Sequence, residues 1–170
     1  GFWWSPDSKK LAFLQLDERP VAKYTIADHL AYREKSEATY YPKAGDPIPK
    51  AALAIYQLGE PQAEQVDLTS HGDDFLISHV NWSPNGRALY FQIQNREQTW
   101  LDLCTVATPY RSPRRLFREQ TGAWVQSPGP PHSLPDGTLL WLSETSGYRH
   151  IYHITRNGKR KRSLTEGSWE

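Results

Sequence analysis

One ten-residue signature recurs along the chain, and it limits the possible folds more than any other feature. Trp4-Ser5-Pro6-Asp7-Ser8-Lys9-Lys10-Leu11-Ala12-Phe13 returns as Trp82-Ser83-Pro84-Asn85-Gly86-Arg87-Ala88-Leu89-Tyr90-Phe91. A weaker third copy is Ser133-Leu134-Pro135-Asp136-Gly137-Thr138-Leu139-Leu140-Trp141-Leu142. Each copy runs Pro, then Asp or Asn, then a small residue. Proline presets φ, the Asx side chain bonds its own backbone, and the small residue accepts a positive φ, so each copy reads as a turn. Aligned without a gap, the copies place two apolar residues five and seven positions after the proline: Leu11 and Phe13, Leu89 and Phe91, Leu140 and Leu142. A spacing of two puts both side chains on one face of a strand.

The spacing between copies suggests an architecture. Pro84 and Pro135 are 51 residues apart, close to the length of one propeller blade, about 40–50 residues. Pro6 and Pro84 are 78 apart, an excess of 27 that fits the stretch from about Val21 to Pro47. In the second repeat "HVNW", "ALYFQIQN", "QTWLDLCTVA" and "PRRLFRE" are strand candidates. In the third they are "PHSL", "TLLWLSE", "RHIYHITR" and "KRSLTE", with Asn157-Gly158 as a hairpin turn. The expectation is an all-β chain of about three four-stranded antiparallel blades, an incomplete arc of a β-propeller. The blades are expected over residues 1–70, with an inserted arm at about 21–47, then 71–121 and 122–170. A plain β-sandwich is the alternative, and tandem copies of one turn-strand signature favour blades. The chain opens on the turn-strand text itself and contains no Met, so we expect a piece of a longer protein, cut between blades.

Composition narrows the function classes. Twenty Lys and Arg balance nineteen Asp and Glu, which leaves no global field to recruit nucleic acid or a membrane. No apolar run approaches the roughly 20 residues needed to span a bilayer. The lone Cys104 excludes an internal disulfide framework and reads as a small buried hydrophobe. The compartment is not legible.

Enzyme signatures are missing. No serine sits in a G-x-S-x-G elbow, and there is no phosphate loop, H-E-x-x-H pair or EF-hand loop. His150 and His153 are the closest histidines; three apart on a strand, they point to opposite faces and share no metal ion. The acidic pairs Asp17-Glu18 and Asp73-Asp74 read as solvated loop charges. The basic runs "RSPRR" (Arg111 to Arg115) and "RNGKRKR" (Arg156 to Arg162) read as charged turns that protect exposed edges. Phosphate or nucleic-acid binding is a distant alternative motivated by the second run alone. The reading assigns no catalytic residue, no metal ligand and no cofactor.

With those residues in hand, the chain resembles the N-terminal propeller domain of the dipeptidyl peptidase IV family, serine exopeptidases of the prolyl oligopeptidase group. The likeness rests on "WWSPDSKKLAFLQLDE", "YYPKAGDPIP" (Tyr40 to Pro49), "GYRHIYHI" (Gly147 to Ile154) and "TEGSWE" (Thr165 to Glu170), in that order. The resemblance implies a propeller of about eight blades covering a C-terminal α/β-hydrolase domain, which carries a Ser, Asp and His triad outside these residues. It also implies release of N-terminal dipeptides. The family's paired glutamates lie upstream of the "WWSP" text, and Asp17-Glu18 does not match them by position. Where the family places an aromatic-basic pair near its active site, this chain reads Gln126-Ser127-Pro128. The insertion before "YPKAG" is, in the family, an arm that supports dimerisation. Here Ala22 to Ile26 and Ala38 to Tyr41 are expected to pair as a ribbon around a polar "DHLAYREKSE" that is helical or disordered. Tyr24, Tyr40 and Tyr41 are the candidate partner-binding residues, because aromatics anchor interfaces. The rival reading is a non-enzymatic propeller that serves as a protein-interaction scaffold.

Overall fold

The architecture comes from a computed structural model that describes residues 1–30, 32–33, 35–109, 112–159 and 161–169. Its strands form three four-stranded antiparallel sheets and one two-stranded ribbon. The first sheet, in the order β1-β2-β5-β6, comprises β1 (Phe2–Trp4), β2 (Lys10–Asp17), β5 (Lys50–Gln57) and the short β6 (Glu64–Gln65). The ribbon β3 (Lys23–Asp28) and β4 (Lys35–Tyr40) rises between β2 and β5. A 3-10 turn, Thr69–His71, leads into the second sheet of β7 (Phe75–Trp82), β8 (Ala88–Asn95), β9 (Trp100–Ala107) and β10 (Arg114–Gln120). The third sheet holds β11 (His132–Ser133), β12 (Leu139–Ser143), β13 (His150–Ile154) and β14 (Lys161–Ser163).

The middle sheet is buried on both faces. Leu89, Phe91 and Ile93 of β8, with Cys104 and Val106 of β9, share one apolar cluster with Ala12, Leu53 and Ile55 of the first sheet. From the opposite face of β9, Leu101 and Leu103 pack with Leu139, Trp141 and Ile154 of the third. Burial on both faces explains why "WLDLCTVA" is nearly continuous in apolar residues instead of alternating. Sheets stacked face to face in sequence are the blades of a propeller arc. Trp82 Nε1 adds a direct link by donating to Trp3 O across the first seam at 2.9 Å.

The recurring turn has one construction. Ser8 N donates to Ser5 O, Gly86 N to Ser83 O and Gly137 N to Leu134 O, each at 2.9 Å. The last residue of each turn has a positive φ: 56° at Ser8, 65° at Gly86 and 79° at Gly137. Ser8 bears the steric penalty of its Cβ there, about 1 kcal/mol. Replacing it with Gly is expected to stabilise the chain by ~0.5 kcal/mol, less than the full penalty because glycine also loosens the unfolded chain. A midpoint that falls on thermal unfolding of Ser8→Gly would contradict this account.

The gapless alignment of the third copy does not hold. Ser5 N pairs with Lys10 O and Ser83 N with Ala88 O, but Leu134 N pairs with Thr138 O, so the third loop is one residue shorter. The cause is the serine. The Ser5 hydroxyl accepts from Lys10 N at 2.9 Å and donates to Asp7, and that of Ser83 accepts from Ala88 N at 2.9 Å and donates to Asn85. Leu134 has no hydroxyl to hold the extra residue. A one-residue slip turns every side chain over, so Leu139 and Trp141 are buried while Leu140 is half-exposed and Leu142 exposed. In the first sheet Leu11 and Phe13 do occupy the positions of Leu89 and Phe91, but only half-buried, on the face turned away from the second sheet.

Candidate interaction surface and polar clusters

The ribbon follows from its sequence. β-branched and aromatic residues suit extended backbone, and the register runs from Lys23 opposite Tyr40 to Asp28 opposite Lys35. The polar "DHLAYREKSE" is therefore partly ribbon, not helix: Asp28 ends β3 and Lys35 to Glu37 begin β4. Ala31 and Glu34 of that stretch lie outside the described residues. Neither face of the ribbon packs on a sheet. Tyr24, Tyr40 and Tyr41 are 46, 42 and 57% exposed.

The ribbon's two faces sort the three tyrosines. Tyr41 N donates to Ala22 O at 3.0 Å, which continues the ladder and puts Tyr41 on the face of Tyr24 and Ile26. The Tyr24 and Tyr41 rings lie 6.0 Å apart, centroid to centroid, with Lys43 Nζ 4.8 Å from the Tyr24 ring. Tyr40 stands on the other face, with Lys23 Nζ 5.0 Å from its ring. The ribbon thus presents exposed aromatic rings on both faces, each face with an ammonium group beside a ring.

Other clusters hold the arc together. Asp102 is fully buried and takes a bidentate clasp from Arg118, Nε to Oδ1 at 2.7 Å and Nη2 to Oδ2 at 2.8 Å. His71 Nε2 lies 3.2 Å from Asp102 Oδ2, so this carboxylate ties the turn that leaves the first sheet to the second. Next to it, burial pushes the Cys104 thiol up to about 12, as expected of a packing residue and not of a nucleophile. Glu119 accepts from Ser143 Oγ, Thr145 Oγ1 and Lys161 Nζ, which joins the second sheet to the third.

The sequence reading missed the two glutamines of β8. Gln92 Nε2 donates to Gly129 O at 2.6 Å, Ser127 Oγ donates to Gln92 Oε1 at 2.7 Å, and Gln94 Nε2 donates to Val125 O at 2.9 Å. Both are buried, and together they fix the 125–129 loop, which carries Gln126-Ser127-Pro128. Their sequence signal was two Gln inside an otherwise apolar strand. On the same side of the arc, Arg149 bridges Glu144 Oε1 at 2.6 Å and Gln126 Oε1 at 3.0 Å, in a cleft lined also by Trp124 and Trp141.

The motifs near the C-terminus turn out to be one unit. His150, buried on β13, has Nδ1 3.2 Å from Thr165 Oγ1 and Nε2 3.0 Å from Gly167 O, and its ring packs edge-on against Trp169. His153 points the other way from the strand and is half-exposed. The two basic runs also meet: Arg114 donates to Asn157 O at 2.9 Å and to Arg156 O at 3.2 Å. Arg111, Arg160 and Glu170, which complete these runs and the "TEGSWE" text, lie outside the described residues. Among the described residues, no three His, Cys, Asp or Glu side chains gather to hold a metal ion, and no helix is long and apolar enough to cross a membrane.

The sequence matches the family described as "Dipeptidyl peptidase IV (DPP IV) N-terminal region" over residues 1–170. The chain belongs to that family. A "Probable dipeptidyl-aminopeptidase B" of Ajellomyces dermatitidis is 34% identical over 143 residues, covering 73% of this chain and 15% of the relative. The dipeptidyl aminopeptidase B of Saccharomyces cerevisiae is 26% identical over 184 residues, covering 99% of this chain and 22% of its own. The crystal structure of Porphyromonas gingivalis dipeptidyl peptidase 4 superimposes with a TM-score of 0.87 at 24% identity, over 99% of this chain and 24% of that one. That likeness establishes the propeller fold, and this dipeptidyl peptidase IV N-terminal segment spans about a fifth of the length of the curated relatives it matches.

Proposed function

We propose that this segment belongs to a serine dipeptidyl peptidase, in which it limits access to a separate hydrolase domain, helps orient the peptide, and joins two protomers through its ribbon. Family membership over the whole chain carries the first part of this reading. In the parent, an activated serine would attack the scissile carbonyl, with a histidine as general base and an oxyanion hole for the developing charge. The segment itself contributes no nucleophile. The blade ranges 1–70, 71–121 and 122–170, with the arm at about 21–47, are proposed on the same basis. Full-length protein is expected to release dipeptide from a Gly-Pro chromogenic amide, and residues 1–170 alone are not. An inert but folded parent would favour the interaction-scaffold reading.

The exposed Tyr24 and Tyr41 pair supports the dimer. An apolar pair at the end of a two-stranded ribbon, with no sheet against it, is suited to bury against a second copy. Changing both residues to Ser is expected to weaken the dimer of the full-length protein by about tenfold or more, read by sedimentation equilibrium. A wild type that is monomeric at micromolar concentration, or a dimer indifferent to the two changes, would remove the ribbon from the interface.

A further inference from the structure

The seam between the second and third sheets, on the side of the Pro-Asx turns, holds a cavity of about 280 Å³. It is lined by Arg87, Tyr90, Ser133 and Arg156 together with the two turns, and no carboxylate is among the described lining residues. We propose that this cavity is a binding site for a small tetrahedral oxyanion of the phosphate class.

Two donors there stand without partners: the Arg87 guanidinium and the Tyr90 hydroxyl bond no described side chain or carbonyl. Arg156 uses Nε on Asp136 O, which turns the rest of its guanidinium along Gly137 at the cavity wall. Arg114 braces the hairpin that carries Arg156 by donating to two of its carbonyls.

Asp136 feels the Arg156 charge but is committed to its own turn. Asp136 Oδ1 is engaged within its own turn by Thr138 N at 2.9 Å and Thr138 Oγ1 at 2.6 Å. Burial pushes the Tyr90 phenol up, so it stays a neutral donor at physiological pH. Two guanidiniums and a phenol then line one space, and among the described lining residues no carboxylate neutralises them. Charge-assisted bonds from several directions suit a tetrahedral dianion with acceptors on every side better than a planar carboxylate.

Calorimetric titration of the chain with inorganic phosphate, at fixed ionic strength and pH 7.5, tests the proposal. Arg87→Gln is expected to weaken binding about tenfold or more, and Tyr90→Phe about threefold, while Arg33→Gln, on the ribbon, leaves it unchanged. The Arg87 side chain bonds no other described group, so its variant is expected to unfold at the wild-type midpoint. Phenyl phosphate as a second probe separates an esterified phosphate from the free ion, and tighter binding of either supports the site. No phosphate binding below about 10 mM, equal affinity in Arg87→Gln, or acetate bound as tightly as phosphate would overturn it.

Discussion

Replacing Phe91 with alanine is expected to destabilise the chain by about 3–5 kcal/mol. Phe91 is the largest of the fully buried side chains, at 0% exposure. It stands at the centre of the cluster that joins the first two sheets, among Leu53, Ile55, Leu89 and Cys104. Truncation removes the apolar transfer energy of a ring and leaves a void that β-strands on both sides cannot collapse to fill. The corresponding position in the third sheet is Trp141, 2% exposed, and its loss is expected to cost a similar amount. Leu142→Ala, by contrast, is expected to cost under about 1 kcal/mol, since Leu142 is 40% exposed. Denaturant unfolding of the three variants checks both the burial and the register. A Leu142 variant as damaging as the Trp141 variant would restore the gapless alignment of the three turns.

That contrast marks how far the sequence was legible. Turn chemistry is local, so Pro-Asx followed by a small residue located the hairpin that starts each of the three sheets, and β9 is apolar almost throughout, in keeping with its double burial. Register was not legible from the same motif, because it depends on whether the residue before proline carries a hydroxyl. Ser5 and Ser83 do and Leu134 does not, a difference visible in the text but meaningful only once the Ser5 and Ser83 hydrogen bonds are known. The ribbon was anticipated from β-prone ends, but its extension to Asp28 and Lys35 was hidden by polar composition: a two-stranded ribbon in solvent needs no apolar face. The seam cavity was invisible, since Arg87, Tyr90, Ser133 and Arg156 are scattered over seventy residues of sequence. Only the stacking of two sheets brings them together. Asp102 was equally silent, one acid inside a strand that reads as core.

Removing the clasp on Asp102 is expected to produce a loss that depends on pH in an unusual direction. Arg118→Met keeps an apolar side chain beside Trp100, whose ring the guanidinium covers at 4.1 Å, but strands a fully buried carboxylate. Breaking a buried pair in this way costs about 3–5 kcal/mol. Arg115, 3.5 Å from Asp102 Oδ2 and half-exposed, offers only weak compensation. His71 at 3.2 Å offers more, but only when it carries a proton. A buried carboxylate without its cation favours the neutral form, so the folded variant binds protons that the unfolded chain does not. Stability then falls as pH rises. The variant is therefore expected to lie closer to wild type at pH 4.5 than at pH 7.5, the reverse of ordinary acid denaturation. Substituting both partners, Asp102→Leu with Arg118→Met, is expected to recover most of the loss at pH 7.5, because no charge is then left in the core. Urea unfolding at the two pH values decides the matter. An equal loss at both would mean that Arg118 acts through its packing on Trp100, and that the carboxylate joining the first two sheets is held without it.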